Sequence, residues 1–265
     1  VKAAVVGSPI AHSLSPALWQ AAYDALKLTD WTYEALDVDE AGLARLMRSP
    51  EGWAGLSVTM PLKHAAARFV DTHVGRTAGV VNTVVFTKNG SEGHNTDIDG
   101  VATALREVRP DEVGNVVVLG AGGTAAAAVI AATQLHASSV TVVARNAGPA
   151  SDLRERTGGV AAFQPWTHVR DAVAGADVVV NTTPKGAADD LADGWPGAPL
   201  VEVLYDPWPT PLVRAAQAGG HAVAGGLFVL VHQALRQIEL VTGKAPDAAT
   251  LMAAGEAALA ARGNG

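Results

Sequence analysis

Cysteine is absent from all 265 residues, which removes disulfide frameworks, thiol nucleophiles and cysteine-ligated metal from consideration. Long apolar runs are missing as well: none approaches the roughly 18 residues that a membrane-spanning helix needs. There is no basic block and no Lys/Arg stripe, and the formal net charge is −7, so nucleic acid is not an expected partner. Neither a solenoid-type repeat nor a low-complexity linker interrupts the chain. No metal is expected, and a cytoplasmic location fits the lack of cysteine. What the chain does have is core material. About half is apolar (49%) and only 17% is charged, which argues against disorder. The length allows one large domain or two of ordinary size.

Over the first hundred residues short β-runs alternate with amphipathic stretches. Strands are expected at 2–7, 32–38, 56–59 and 80–86, and a turn at Lys88-Asn89-Gly90. Helices are expected at 17–26, 41–48, 61–70 and about 97–108. A second series follows, with strands expected at 116–119, 140–144, 176–181 and 200–204 and an Ala-rich helix over 124–135. Helices over 228–240 and 247–262 close the chain. Alternation of this kind predicts an α/β fold with a mostly parallel sheet, and a domain boundary near residue 103.

The sharpest local signal is Gly120-Ala121-Gly122-Gly123-Thr124-Ala125, placed between a strand with no polar face and a helix. The first Gly permits a tight turn, the second lets backbone approach a diphosphate, and Ala125 lets helix and strand pack closely. Free N–H groups and the helix dipole then face the phosphates. At the end of the next strand, where an NAD site places Asp or Glu, stands Ala144-Arg145-Asn146. A carboxylate would repel a 2′-phosphate, whereas Arg145 can pair with it through two N–H donors. The cofactor expected is NADP(H), although Arg145 taken alone also reads as an ordinary surface residue.

In the first hundred residues Lys63 stands out. Pro61 suits the first position of a helix, which would put Lys63 in that helix's first turn, where the dipole opposes a cation. Stability alone would favour an acid there, so a proton-transfer role is one reading and a solvated surface lysine the other. Asp97, within His94-Asn95-Thr96-Asp97-Ile98-Asp99-Gly100, precedes an amphipathic stretch and suits either an N-cap or a proton relay with a lysine. Ser13 and Ser15 lie on one loop and can both donate to a carboxylate, while Ser15 before Pro16 also suits an N-cap.

Eight segments, in order, resemble the shikimate dehydrogenase family from the first strand to the C-terminal helices: GSPIAHSLSP, LSVTMPLK, VVNT, HNTDIDG, GAGGT, NTTPKG, YDP with TPL, and GGL with QA. The resemblance implies that Ser13 and Ser15 bind a substrate carboxylate and that Thr59, Asn82, Tyr205 and Gln233 complete the substrate site. It makes Lys63 and Asp97 the catalytic pair. It puts Gly120, Ala121, Gly122, Gly123, Thr124, Arg145, Val203 and Gly226 on NADP(H). It further implies a substrate domain of residues 1–103 to which 227–265 return, and a Rossmann-type NADP domain of 104–226. The implied reaction is the reversible, NADPH-dependent reduction of 3-dehydroshikimate to shikimate; a homodimer is one assembly compatible with the sequence, which leaves the oligomeric state open.

Three departures qualify the match. The family's phosphate-binding stretch usually opens Asn-Arg-Thr and carries a further basic residue, whereas here Arg145 is the single cation. Val229 replaces a methionine common in the last motif, and Ser57 an asparagine. A quinate or quinate/shikimate dehydrogenase using NAD is the nearest rival, and a catalytically silent nucleotide-binding module on the same fold is the second.

Overall fold

A computed structural model describes residues 1–195 and 197–263. In chain order the elements begin with β1 (Lys2–Gly7), α1 (Ser15–Leu26), β2 (Thr32–Asp37), α2 (Glu40–Arg48), β3 (Trp53–Val58) and α3 (Lys63–Phe69). Next come β4 (Thr72–His73), β5 (Thr83–Thr87), β6 (Gly90–His94) and α4 (Asp97–Val108). They continue with β7 (Asn115–Leu119), α5 (Gly123–Gln134), β8 (Ser139–Ala144), α6 (Ala147–Arg156), β9 (Ala162–Pro165), α7 (Val169–Ala174) and β10 (Val178–Asn181). The last are β11 (Leu200–Glu202), α8 (Pro211–Ala218), β12 (Val223–Ala224), α9 (Gly226–Thr242) and α10 (Ala248–Gly263). The chain divides into two compact units, 1–96 with 231–265, and 97–230.

The first unit is an α/β sheet in the order β2-β1-β3-β5-β6-β4. β1 pairs in parallel with both β2 and β3, but β5 runs antiparallel to β3 and β6 antiparallel to β5. β4 pairs in parallel with β6, so three of the five pairings are parallel and the antiparallel pair of junctions is confined to β5. β6 reads Gly-Ser-Glu-Gly-His, without β-branched residues or alternation, so nothing local marks it as a strand. It exists because Thr87 and Gly90 pair across a tight hairpin turn. β1, β3 and the buried side of α3 enclose a core that includes Val6, Leu56, Val58, Leu62 and Ala66. From the far end of the chain, α10 lies against α1.

Two boundaries differ from those the pattern suggests. The peptide before Pro61 is cis and the helix starts at Lys63, with Leu62 at its cap. Pro61 is therefore not a helical residue, and Lys63 is the first of its helix. Ser15, likewise, does not cap α1. The cap is Leu14, in right-handed helical conformation without a side-chain cap bond, and Ser15 is already helical.

The second unit is a parallel sheet in the order β12-β11-β10-β7-β8-β9. Its order turns back at β7, the strand that meets the Gly-rich loop, which is the doubly wound arrangement in which nucleotides bind at the C-terminal ends of the strands. Eight consecutive residues of α5, Ala125 to Ala132, are buried. Six are alanines, and these small side chains let α5 sit close to the sheet on one side and to α4 on the other. Among the described residues no helix is long and apolar enough to cross a membrane.

Candidate active site

In the second unit the backbone at the end of β7 is built to receive a phosphate. Gly120 has φ +106°, and a Cβ there would meet the Thr182 hydroxyl at 2.7 Å, so no other residue fits the turn without strain. Gly122 caps α5, and the space its Cβ would fill is open. N–H groups of the first turn of α5 have no intrahelical acceptors, and Gly123 and Thr124 belong to that turn. A cavity of about 310 Å³ opens there, lined by the Gly120–Gly122 loop, Arg145-Asn146 and Thr183-Pro184. Arg145 is exposed on its wall, and no carboxylate lines the cavity among the described residues. A dinucleotide fits this donor set: a glycine loop at a helix N-terminus, an open cradle, and one guanidinium at the ribose end.

Beyond β10 and β11 two loops are tied together by a carboxylate that the motifs did not mark. Glu202 is fully buried. Its Oε2 accepts from Asn181 Nδ2 at 2.9 Å and Thr210 Oγ1 at 3.2 Å, and its Oε1 from the Leu204 N–H at 3.1 Å. Burial raises its pKa even against these donors and the Val203 N–H. Asn181 in turn accepts from the Thr183 N–H and hydroxyl at 3.1 and 2.7 Å. Val203 and Tyr205, both half-buried, ride on the loop that Glu202 holds. Gly226 opens α9 so close to this loop that a Cβ would overlap the Leu204 carbonyl. Asp97, also in this unit, is the first residue of α4 and is 9% exposed.

In the first unit a buried polar cluster forms around Asn82, which is 1% exposed. The Thr96 N–H can only donate, and it lies 2.8 Å from Asn82 Oδ1, which fixes the orientation of that amide. Asn82 Nδ2 consequently faces Thr96 Oγ1 at 3.0 Å and Gln233 Oε1 at 3.3 Å. One turn further along α9, Gln237 Nε2 donates to the Asn82 carbonyl at 3.1 Å and to Thr83 Oγ1 at 3.0 Å. That leaves Gln237 Oε1 to accept from Ser57 Oγ at 2.9 Å, and Ser57 accepts from the Tyr33 hydroxyl at 2.7 Å. Burial pushes the Tyr33 phenol far up, so it stays a neutral donor. Its ring stacks on Trp19 with centroids 4.5 Å apart.

The β1–α1 loop carries the two serines. Ser13 Oγ accepts the Ser15 N–H at 3.2 Å, and Ser15 is 7% exposed. Arg262 of α10 donates to the His12 and Ser13 carbonyls at 3.1 and 3.0 Å, holding the loop from 250 residues away. Thr59 follows β3 and is half-buried, its N–H on the Val6 carbonyl at 2.9 Å. Lys63, half-buried at the start of α3, accepts the Val81 N–H on its carbonyl at 3.0 Å.

Residues 5–84 match the family model described as the shikimate dehydrogenase substrate binding domain, and residues 103–188 the one described as shikimate / quinate 5-dehydrogenase. The chain belongs to the shikimate dehydrogenase family. Among shikimate dehydrogenases, the NADP(+) enzyme of Rubrobacter xylanophilus is 37% identical over 92% of this chain and 91% of its own. The crystal structure of the Mycobacterium tuberculosis shikimate dehydrogenase superposes with a TM-score of 0.87 at 43% identity, covering 97% of this chain and 99% of that one. The Thermus thermophilus shikimate 5-dehydrogenase, crystallised in complex with NADP(H) and shikimate, superposes with a TM-score of 0.84 at 32% identity, covering 97% and 99%. The α/β class, with a Rossmann-type nucleotide unit and C-terminal helices packed into the N-terminal unit, is therefore that of shikimate dehydrogenases. Glu202, Gln237, Tyr33 and Arg262 carry no motif signal, because each acts through a partner distant in sequence or through a loop backbone.

Proposed function

We propose that this chain catalyses the NADPH-dependent, reversible reduction of 3-dehydroshikimate to shikimate, a step toward aromatic amino acids. The observation that carries the reading is the cofactor cavity: a glycine loop at a helix N-terminus, Arg145 on the wall and no carboxylate at the end of β8. Relatives that cover nine-tenths of the chain and are named for NADP(+) support it. Gly120 to Thr124 hold the diphosphate, Arg145 the 2′-phosphate, and Val203 and Gly226 the nicotinamide end. When bound, the cofactor supplies the hydride that the ketone carbon takes up.

The remaining chemistry belongs to side chains. Ser13 and Ser15 donate to the substrate carboxylate. Asn82 and Gln233 bind ring hydroxyls, with Thr59 and Tyr205 completing the contacts. The Asn82 amide is locked with its oxygen on the Thr96 N–H and its Nδ2 toward Thr96 Oγ1 and Gln233 Oε1, so a substrate hydroxyl that it binds takes the place of one of those two acceptors. Lys63 gives a proton to the carbonyl oxygen as it becomes a hydroxyl, and Asp97 orients that oxygen. The enzyme acts on small molecules, and we assign it to the cytoplasm.

Initial rates for shikimate and quinate, each with NADP and with NAD, test the proposal. Preference for shikimate with NADP is the expected result. A main activity on quinate, or with NAD, moves the chain to the quinate branch of the family, and no turnover with any pair leaves a silent nucleotide-binding module.

A further inference from the structure

The cofactor cavity has an aromatic wall that no motif announced. β8 and β9 run parallel with Ala144 opposite Pro165. The next residues, Arg145 and Trp166, therefore leave the sheet side by side at its C-terminal edge, and both line the cavity. A dinucleotide on this fold sets its diphosphate at the end of the first strand and its adenosine ribose at the end of the second. Here those are β7 and β8. One strand further out the base reaches the end of β9, where Trp166 opens a single 3₁₀ turn.

Trp166 is suited to that place on two counts. It is half-buried and packs against a core cluster that includes Leu119, Val143, Val169 and Val173, so the hydrophobic core restrains the ring that lines the cavity. An indole also presents a large, rigid π-surface at little conformational cost, and purine bases stack on such surfaces whatever their substituents. Arg145, by contrast, is the only charged side chain among the described residues of the cavity wall.

We propose that Trp166 is the adenine-binding residue of this pocket, packing its indole on the purine of the cofactor. The proposal rests on the dinucleotide reading of the cavity. It divides recognition between neighbours on adjacent strands: Arg145 reads the 2′-phosphate, and Trp166 grips the base without regard to that phosphate. A chain with one cation at the phosphate then draws a larger share of its cofactor affinity from the base, a share that NAD, which lacks the 2′-phosphate, keeps in full.

The test is the dissociation constant of NADP⁺, NAD⁺ and 2′,5′-ADP, measured by titration calorimetry on the full chain and on Trp166→Leu, Trp166→Phe and Arg145→Ala. Leucine keeps an apolar group against the core but has no π-face. Trp166→Leu should weaken all three ligands alike, by roughly 5- to 100-fold, the range of base–aromatic stacking. Trp166→Phe should stay within about threefold of wild type, since it keeps an aromatic face. Arg145→Ala should weaken NADP⁺ and 2′,5′-ADP and spare NAD⁺. Trp166→Leu binding all three as wild type does, or losing only the phosphorylated pair, overturns the proposal. If Trp166→Leu does not fold, tryptophan emission decides: 2′,5′-ADP should quench wild type, and an equal quench in Trp166→Phe overturns it. Wild type that binds none of the three refutes the dinucleotide reading itself, a result distinct from either.

Discussion

Replacing Glu202 by leucine removes the acceptor that three donors share at a site without solvent. Asn181 Nδ2, Thr210 Oγ1 and the Leu204 N–H sit 2.9–3.2 Å from its carboxylate. The Thr210 hydroxyl can rotate. The Leu204 N–H cannot, and Asn181 is held by Thr183 at its other end. Two fixed donors are thus orphaned, at about 1–3 kcal/mol each. Removing a buried charge and burying a leucine side chain offsets about 1.5–3 kcal/mol of that. Taking the middle of each range, the net loss is about 2 kcal/mol, which lowers the melting temperature by roughly 4–8 °C. Glu202→Gln keeps one acceptor and loses the charge, so it should melt between the two. The pH dependence has a definite sign. Burial raises the folded-state pKa of Glu202, so its stabilising contribution is complete below the ordinary carboxyl pKa and is lost as pH rises through the raised value. Glutamine has no such dependence. The gap between wild type and Glu202→Gln should therefore be widest near pH 4.5 and narrow toward pH 8. Thermal unfolding followed by circular dichroism across that range reads both effects. A Glu202→Leu variant that melts with or above wild type at pH 7, or a gap that widens with pH, would refute the reasoning.

Further outcomes follow from the substrate unit. Lys63→Ala should lower kcat by about 10²-fold or more, the scale of general acid–base help, and near-normal turnover in steady-state assays would remove Lys63 from that role. Arg262→Met should raise KM for shikimate about two- to fivefold, because the loop of Ser13 and Ser15 loses two donors on its carbonyls. KM for NADP should not move, and a change confined to the cofactor would contradict the assignment. Ser57→Ala breaks the chain from Tyr33 to Gln237. KM for shikimate should rise with little change for NADP, and Ser57→Thr should restore it. Equal behaviour of the two variants would mean that the hydroxyl does not orient the cluster.

What is local was legible along the chain. Val116 to Ala125 already contains a buried strand, its glycine turn and the start of a helix, since steric limits on φ and the packing of small residues act over a few positions. The Ala144-Arg145 choice at the next strand end was legible for the same reason. The family and its reaction were readable too, because eight short segments recur in order. What those segments meet is set by the folded chain. Asn82 and Gln233 are 151 residues apart, yet one bond between them, together with the Thr96 N–H, orients both amides. β6 is a strand through its partner and not through its composition. Glu202 and Trp166 look ordinary in the sequence. One acquires its role from three donors on two loops, the other from the register of β8 against β9. Propensity and periodicity reach one turn or one strand along the chain. Hydrogen-bond satisfaction, register and burial are properties of chain segments brought together, and spacing along the sequence does not carry them.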